Sequence, residues 1–195
     1  MKKYIIIAVL ALITFRVDAQ DGSTIFVNYL PSLPLGGTAD FTDEISPRGV
    51  DFEVQHFLNE DLSVGFNIGW TLFRQKISGE TFYYKDLTIT GTQFRYTNIV
   101  PLTLNVKKYF MANGDYVPYV GVGIGTSYAE QRNEIGVFEL EDDKWQFHMA
   151  PEIGMLYDLN YKSYLSVKLK YNYSVKAGSF PSMSYLSLGL GIGLK

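Results

Sequence analysis

Seven charged residues sit at alternate positions among apolar neighbours: Asp51, Glu53, Arg95, Lys107, Glu152, Lys168 and Lys170. Asp51 and Glu53 interleave with Val50, Phe52 and Val54; Lys168 and Lys170 interleave with Val167, Leu169 and Tyr171. Three acids against four bases can do two kinds of chemistry. Locked together, they form ion pairs that make one another's burial tolerable. Free to exchange partners, they line a path for ions. His148, four positions before Glu152, adds a titratable ring, and with Ser166 or Ser187 it would furnish the groups for acyl transfer on a lipid. More often such a histidine only hydrogen-bonds within a polar network, so no catalytic residue is assigned. Two histidines without a cysteine give no dense metal-ligand cluster, and no metal or cofactor is expected. Gly121, Gly123 and Gly125 resemble a phosphate loop only superficially, since no Lys-Ser/Thr pair and no helix follow them.

The elements that must position these groups are strands. In the final segment, every second position from Leu186 to Leu194 is a large aliphatic, and the positions between are Ser or Gly. One face is therefore apolar and the other nearly bare. Eight segments carry such alternation: 23–33, 48–58, 62–74, 94–110, 116–128, 144–157, 164–175 and 183–194. In the third, Leu62, Val64, Phe66, Ile68, Trp70 and Leu72 share one face, with Ser63, Gly65, Asn67, Gly69 and Thr71 on the other. Short turns (59–61, 111–115, 158–163) alternate with mostly longer polar connections (34–47, 75–93, 129–143, 176–182). That rhythm suits an up-and-down barrel with tight turns on one side and long loops on the other.

Residues 1–19 read as a secretory signal peptide: two lysines, an apolar run too short to span a bilayer, and Val17-Asp18-Ala19 offering a cleavage point. The barrel domain is then 20–195. The formal net charge of −3 becomes −5 once Lys2, Lys3, Arg16 and Asp18 are removed, which argues against nucleic acid as a partner. No other stretch is long and apolar enough for a transmembrane helix.

The apolar faces lack charge in their centres, as lipid contact requires. Trp70, Phe94, Tyr96, Tyr128, Trp145, Phe147, Tyr171 and Tyr173 lie near the loop side. Phe110, Tyr116, Tyr157, Tyr161 and Tyr164 lie near the turns, so two aromatic girdles are expected. Pro101 and Pro151 are read as bulges or local breaks in pairing, which would keep Asn98 off the lipid face.

An eight-stranded barrel has an interior only wide enough for side chains. The turn positions place Glu152 across from Lys168 or Lys170, and Glu53 opposite Asn67. The expectation is a polar plug in which Glu53, Arg95, Glu152, Lys168 and Lys170 interlock, with Asn67 and His148 in the same lumen network. Outside, Glu139, Glu141, Asp142 and Asp143 form an acidic cluster in the third outer loop. It reads as a solvated surface, or as a bridge through divalent cations to lipopolysaccharide. Phe82, Tyr83 and Tyr84, beside Lys76 and Lys85, are candidates to contact a partner or fold over the mouth.

Three passages resemble a known family: Thr92-Gln93-Phe94-Arg95-Tyr96-Thr97-Asn98-Ile99-Val100-Pro101, Ala150-Pro151-Glu152-Ile153-Gly154, and Pro118-Tyr119-Val120-Gly121-Val122-Gly123-Ile124-Gly125. They look like small bacterial outer-membrane β-barrel proteins of the OmpA, OmpX and OmpW types. The resemblance implies an all-β, eight-stranded antiparallel up-and-down transmembrane β-barrel in the Gram-negative outer membrane. It also implies the barrel-assembly machinery as a partner during biogenesis. Such barrels often end in an aromatic residue, whereas this chain ends Leu194-Lys195, which shifts that recognition to Tyr185 and the aliphatics. The functional expectation is a monomeric, non-enzymatic barrel with a side-chain-filled lumen. Its role would be structural, adhesive or partner-docking, through outer loops set among outer-membrane lipid and lipopolysaccharide. A narrow channel for small or hydrophobic solutes, entering at the mouth or beside Pro101 or Pro151, is the alternative. A lipid-modifying enzyme is the third reading.

Overall fold

A computed structural model describes residues 22–84, 87–110, 115–135, 138–160 and 162–195, without the side chains of 79–84, 87–91 and 138. The expected leader, Tyr161, Lys85 and the side chains of Phe82, Tyr83 and Tyr84 lie outside the described residues. The elements are β1 (Ser23–Tyr29), β2 (Ser32–Leu35), a single helical turn α1 (Gly36–Ala39), β3 (Gly49–Asn59), β4 (Leu62–Tyr84) and β5 (Leu87–Tyr109). They continue as β6 (Tyr116–Ile135), β7 (Phe138–Asn160), β8 (Ser163–Ser174) and β9 (Met183–Leu194). All pair antiparallel in the order β1-β3-β4-β5-β6-β7-β8-β9-β2, and β1 also pairs with β9. β1 and β2 are two halves of one strand broken at Pro31, so the sheet closes as a ring of eight.

Closure is staggered. From Gly22, bonded to Phe57, the row of partners runs Ser63, Lys107, Gly121, Glu152, Lys170, Ser187 and returns at Ser32, ten residues along from its start. Such a stagger tilts the strands and leaves an interior that side chains fill.

Parity follows the sequence pattern. Ser63, Asn67, Gly69 and Thr71 of β4 are buried inside, while Phe66, Ile68 and Trp70 are exposed outside. The outward face of the barrel body holds Phe52, Val54, Leu104, Val106, Val120, Val122, Ile124, Ile153, Leu169, Leu188 and Leu190, without a charge among them. A Lys or Arg at the midplane of such a face would cost about 2–4 kcal/mol. Trp70, Val100, Tyr128 and Trp145 lie in one outward row. Tyr116 and Tyr157 pair at 4.8 Å near the opposite end. Tyr164 departs from the expected girdle: it points inward and stacks on Phe26 with ring centroids 6.5 Å apart.

Two expectations need correction. The connections 75–93 and 129–143 are not loops, because β4, β5, β6 and β7 extend through them as one four-stranded sheet as far as Gln93 and Ile135, beyond which β4 and β5 continue as a two-stranded ribbon. Ile77, Thr81, Phe82, Thr88, Ile89 and Thr90 are strand-favouring types; polarity there marks departure from lipid, not from the sheet. At the prolines the structure shows local breaks in pairing, one of the two expected forms, without a bulge, and it is the placing of Asn98 off the lipid face that needs correction. Pairing of β4 with β5 skips Gly69/Pro101 and Trp70/Val100 without changing register, and pairing of β7 with β8 skips Ala150/Asn172 and Pro151/Tyr171. Each proline lacks the N–H its neighbour would accept, so the breaks are local.

Asn98 therefore stays on the outward face. It is half-buried and accepts a 2.7 Å hydrogen bond from Trp70 Nε1. Trp70→Phe keeps the ring but removes that donor, and is expected to lower stability by about 1–3 kcal/mol. Urea unfolding in lipid checks this, and Asn98→Val added to Trp70→Phe should recover most of the loss.

Candidate functional site

The lumen contains three stacked zones. The middle one is ionic. β3 presents Asp51 and Glu53, β8 presents Lys168 and Lys170, β5 presents Lys107 and β7 presents Glu152, all buried. Lys168 Nζ lies 3.0 Å from Asp51 Oδ2 and 3.1 Å from Glu53 Oε2. Lys107 pairs with Glu53 and lies 2.7 Å from Glu152 Oε1, and Lys170 lies 3.5 Å from Asp51 Oδ2. Three carboxylates thus balance three ammonium groups. Neutral side chains complete the shell: Asn28 Nδ2 donates to Asp51 at 2.6 Å, Gln55 Nε2 donates to Glu53 at 2.8 Å, and Asn67 Oδ1 accepts from Lys170 Nζ at 3.0 Å. These contacts tie β3 to β8 across the lumen, although the two strands are not neighbours in the sheet.

Local sequence explains who meets whom. Glu152 is indeed opposite Lys170 in register, yet its partner is Lys107. Gly121 stands between Lys107 and Glu152 in the same row, and a Cβ there would come within 3.0 Å of Lys107 Cγ and 3.3 Å of Glu152 Cγ. The missing side chain lets the two meet above it. Gly189 does the same for Lys168, whose Cγ would lie 2.5 Å from an added Cβ. The bare face of β9 is thus the floor over which a lysine reaches its acids. Glu53 is opposite Asn67, as the turn position implied.

Toward the turns, Phe26, Tyr109, Tyr119 and Leu156 close the lumen, with Phe57, Val117 and Tyr164 against them. Lys107 Nζ sits 4.6 Å from the Tyr119 ring centroid, which joins this aromatic floor to the ionic zone by a cation–π contact. Toward the outer mouth, Phe73, Ile99, Ala129, Phe180, Met183 and Tyr185 form an apolar seal. The segment after β2 folds over it: Thr42 Oγ1 donates to Thr97 Oγ1 at 2.9 Å, and the Ser184 N–H donates to Thr38 Oγ1 at 3.0 Å.

Arg95 was expected in the plug and is not there. It sits half-buried at the mouth, its guanidinium 5.5 Å from the Phe41 ring centroid. The tilt of β5 carries position 95 beyond the ionic zone that Lys107 occupies. His148 does point inward, but Nδ1 meets Ser174 Oγ at 2.9 Å, and Ser174 meets Ser127 at 2.8 Å. Neither Ser166 nor Ser187 is its partner; Ser187 Oγ lies 2.8 Å from Ser32 Oγ. Asp51 and Lys107 belong to the interlocking set, which the sequence reading had not paired; the glycine opposite Lys107 was the available signal. The apolar seal was missed altogether: Phe73 lies at the end of a segment read only for its outward alternation, and Phe180 falls in a connection read as an outer loop.

Glu139, Glu141, Asp142 and Asp143 lie exposed on β7, an edge strand of the extended sheet. Arg132 of β6 contacts Glu139 at 3.3 Å and Glu134 at 3.6 Å, and Lys144 lies 3.7 Å from Asp142. Among the described residues no group of three or more acidic or histidine ligands converges for a metal.

The fold has many relatives among solved structures. Ail, the attachment invasion locus protein of Yersinia pestis, solved in complex with the heparin analogue sucrose octasulfate, is similar over 90% of this chain and 99% of its own, with TM-score 0.58 at 14% identity. Neisserial surface protein A is similar over 90% and 97%, with TM-score 0.59 at 12% identity. OprG of Pseudomonas aeruginosa is similar over 89% and 95%, with TM-score 0.51 at 12% identity. Curated protein sequences give no match. The OmpW family, by contrast, matches over residues 13–180, which takes in β1 to β8 and leaves out β9. With its eight-strand closure, charge-free outer band and aromatic rows, this chain belongs to the OmpW family and is a β-barrel of the Gram-negative outer membrane.

Proposed function

We propose that this barrel works from its outer face, as a structural or partner-docking protein, with its lumen sealed. The observation that carries the reading is the neutral lattice of Asp51, Glu53, Glu152, Lys107, Lys168 and Lys170, closed below by aromatics and above by an apolar seal. Freeing any one of these charges would leave its partners buried and uncompensated. No step of the proposal is catalytic. In planar bilayers, the purified protein is expected to give no steady current at neutral pH; a sustained open current of porin size would overturn the sealed reading.

A second reading has one specific observation in its favour. Pairing is interrupted beside Pro101 and again beside Pro151, so the wall is weakest between β4 and β5 and between β7 and β8. A narrow route for small or hydrophobic solutes would use one of these breaks, with Ile99 and Phe73 of the seal just inside the first. Cross-linking Gly69→Cys to Pro101→Cys, in a chain that has no native cysteine, would block that route and leave docking untouched.

A further inference from the structure

Beyond the Trp70 row, the outward face of β3, β4 and β5 changes from apolar to basic. Arg48 lies beside Leu72, whose N–H donates to the Arg48 carbonyl, two residues past Trp70. Arg74 and Lys76 follow on the same exposed face. Their cross-strand partners are Tyr96 and Phe94. The Arg74 guanidinium stacks 5.3 Å from the Phe94 centroid and 5.8 Å from that of Tyr96, and Lys76 Nζ lies 5.8 Å from Phe94. Among the described residues, no carboxylate pairs with Arg48, Arg74 or Lys76, whereas Arg132 one strand further on is claimed by Glu134 and Glu139.

We infer that this patch docks the phosphorylated headgroup of an outer-leaflet glycolipid. Three features select that occupant. The patch faces sideways, in line with Phe66, Ile68 and Trp70, so what lies against it is membrane and not bulk solution. At about 3.3 Å per residue, Arg48 and Arg74 fall roughly 7–13 Å along the strand beyond the tryptophan, the depth of headgroups just outside acyl chains. Unpaired guanidinium and ammonium groups bind phosphate, and the rings beneath hold them extended before the lipid arrives. The inference rests on the outer face being the working surface. Its test reads lipid retention, whereas conductance reads the lumen, so the two can fail separately.

The test uses the whole mature protein in phosphatidylcholine nanodiscs carrying a trace of bis-phosphorylated lipid A or its dephosphorylated form, with and without a chelator. Retained lipid is read by native mass spectrometry. Wild type should hold the phosphorylated form at least about tenfold better, a modest fraction of what three cations near an anionic surface can supply. Arg48→Gln/Arg74→Gln/Lys76→Gln should lose that preference, and Glu139→Gln/Glu141→Gln should keep it. Heat-modifiable gel migration confirms folding, and if the triple variant fails to fold, Arg74→Gln and Lys76→Gln singly should each weaken retention several-fold. Equal retention of both lipids overturns the inference, as does a preference that survives the triple variant. So does a preference abolished by the chelator and by Glu139→Gln/Glu141→Gln, which would place cation bridging on the acidic strip. Displacement of the lipid by excess inorganic phosphate, or a two-chain species lost in both variants, would likewise replace a lipid with a free anion or a second copy.

Discussion

Lys107→Met is expected to lower the stability of the folded barrel by about 3–5 kcal/mol. The Met side chain keeps most of the lysine's volume, so the loss is electrostatic and not a cavity. Lys107 alone serves Glu152 and shares Glu53 with Lys168. Without it, three buried carboxylates face two ammonium groups, and the aromatic floor loses its cation–π contact with Tyr119. Adding Glu152→Gln restores one-to-one balance and should recover more than half of the loss. Urea unfolding in lipid vesicles, followed by the fluorescence of Trp70 and Trp145, measures both. Unchanged midpoints for Lys107→Met, or no recovery from Glu152→Gln, would mean that the lattice does not hold the barrel together.

Gly189→Val should cost nearly as much, for a different reason. The added Cβ would meet Lys168 Cγ at 2.5 Å and Cε at 3.0 Å, with Leu30 Cδ2 at 3.1 Å behind them. A flexible lysine could ordinarily swing aside. Here its tip is fixed by Asp51 and Glu53, so moving the stem breaks ion pairs as well as overpacking the lumen, together about 3 kcal/mol or more. The diagnostic result is non-additivity. In a Lys168→Met background the tip is no longer anchored, and Gly189→Val should then cost only about 1 kcal/mol. Additive losses would show that glycine matters at 189 for some reason other than the passage of Lys168. The outward replacement Leu188→Val, one residue away, is expected to stay within about 1 kcal/mol of wild type.

The ring of strands was legible because lipid enforces strict alternation: one slip in β4 or β9 would turn a lumen residue toward acyl chains. The identity of the inward charges followed from the same parity. Their partnerships did not, because a staggered ring sets residues from distant strands side by side. Lys168 and Asp51 are 117 positions apart and three strands removed, and only the closed geometry shows that they touch. Arg95 illustrates the limit. Its parity is that of Lys107, but twelve residues of tilted strand separate them, and parity carries no information on height. The strand extensions were misread for a related reason: beyond the membrane nothing penalises polar residues on both faces, so alternation fades while hydrogen bonding continues. Asn98 was excused from the lipid face on the expected disturbance at Pro101, whereas parity holds through the break and the indole of Trp70 satisfies it in place.

The extended sheet also leaves open flanks. β7 gains a main-chain partner beside β8 only from Phe147 onward, and β4 has none on the β3 side above Leu72, so two rows of main-chain donors and acceptors stand without a neighbour among the described residues. Such flanks are templates for strand addition between molecules. Along them run Glu139, Glu141, Asp142, Asp143 and Lys144 on one side and Arg74 and Lys76 on the other. Crowded charge there acts as a guard against stacking of one barrel onto the next, so a surface stripped of it for crystallisation would trade solubility for fibre-like association.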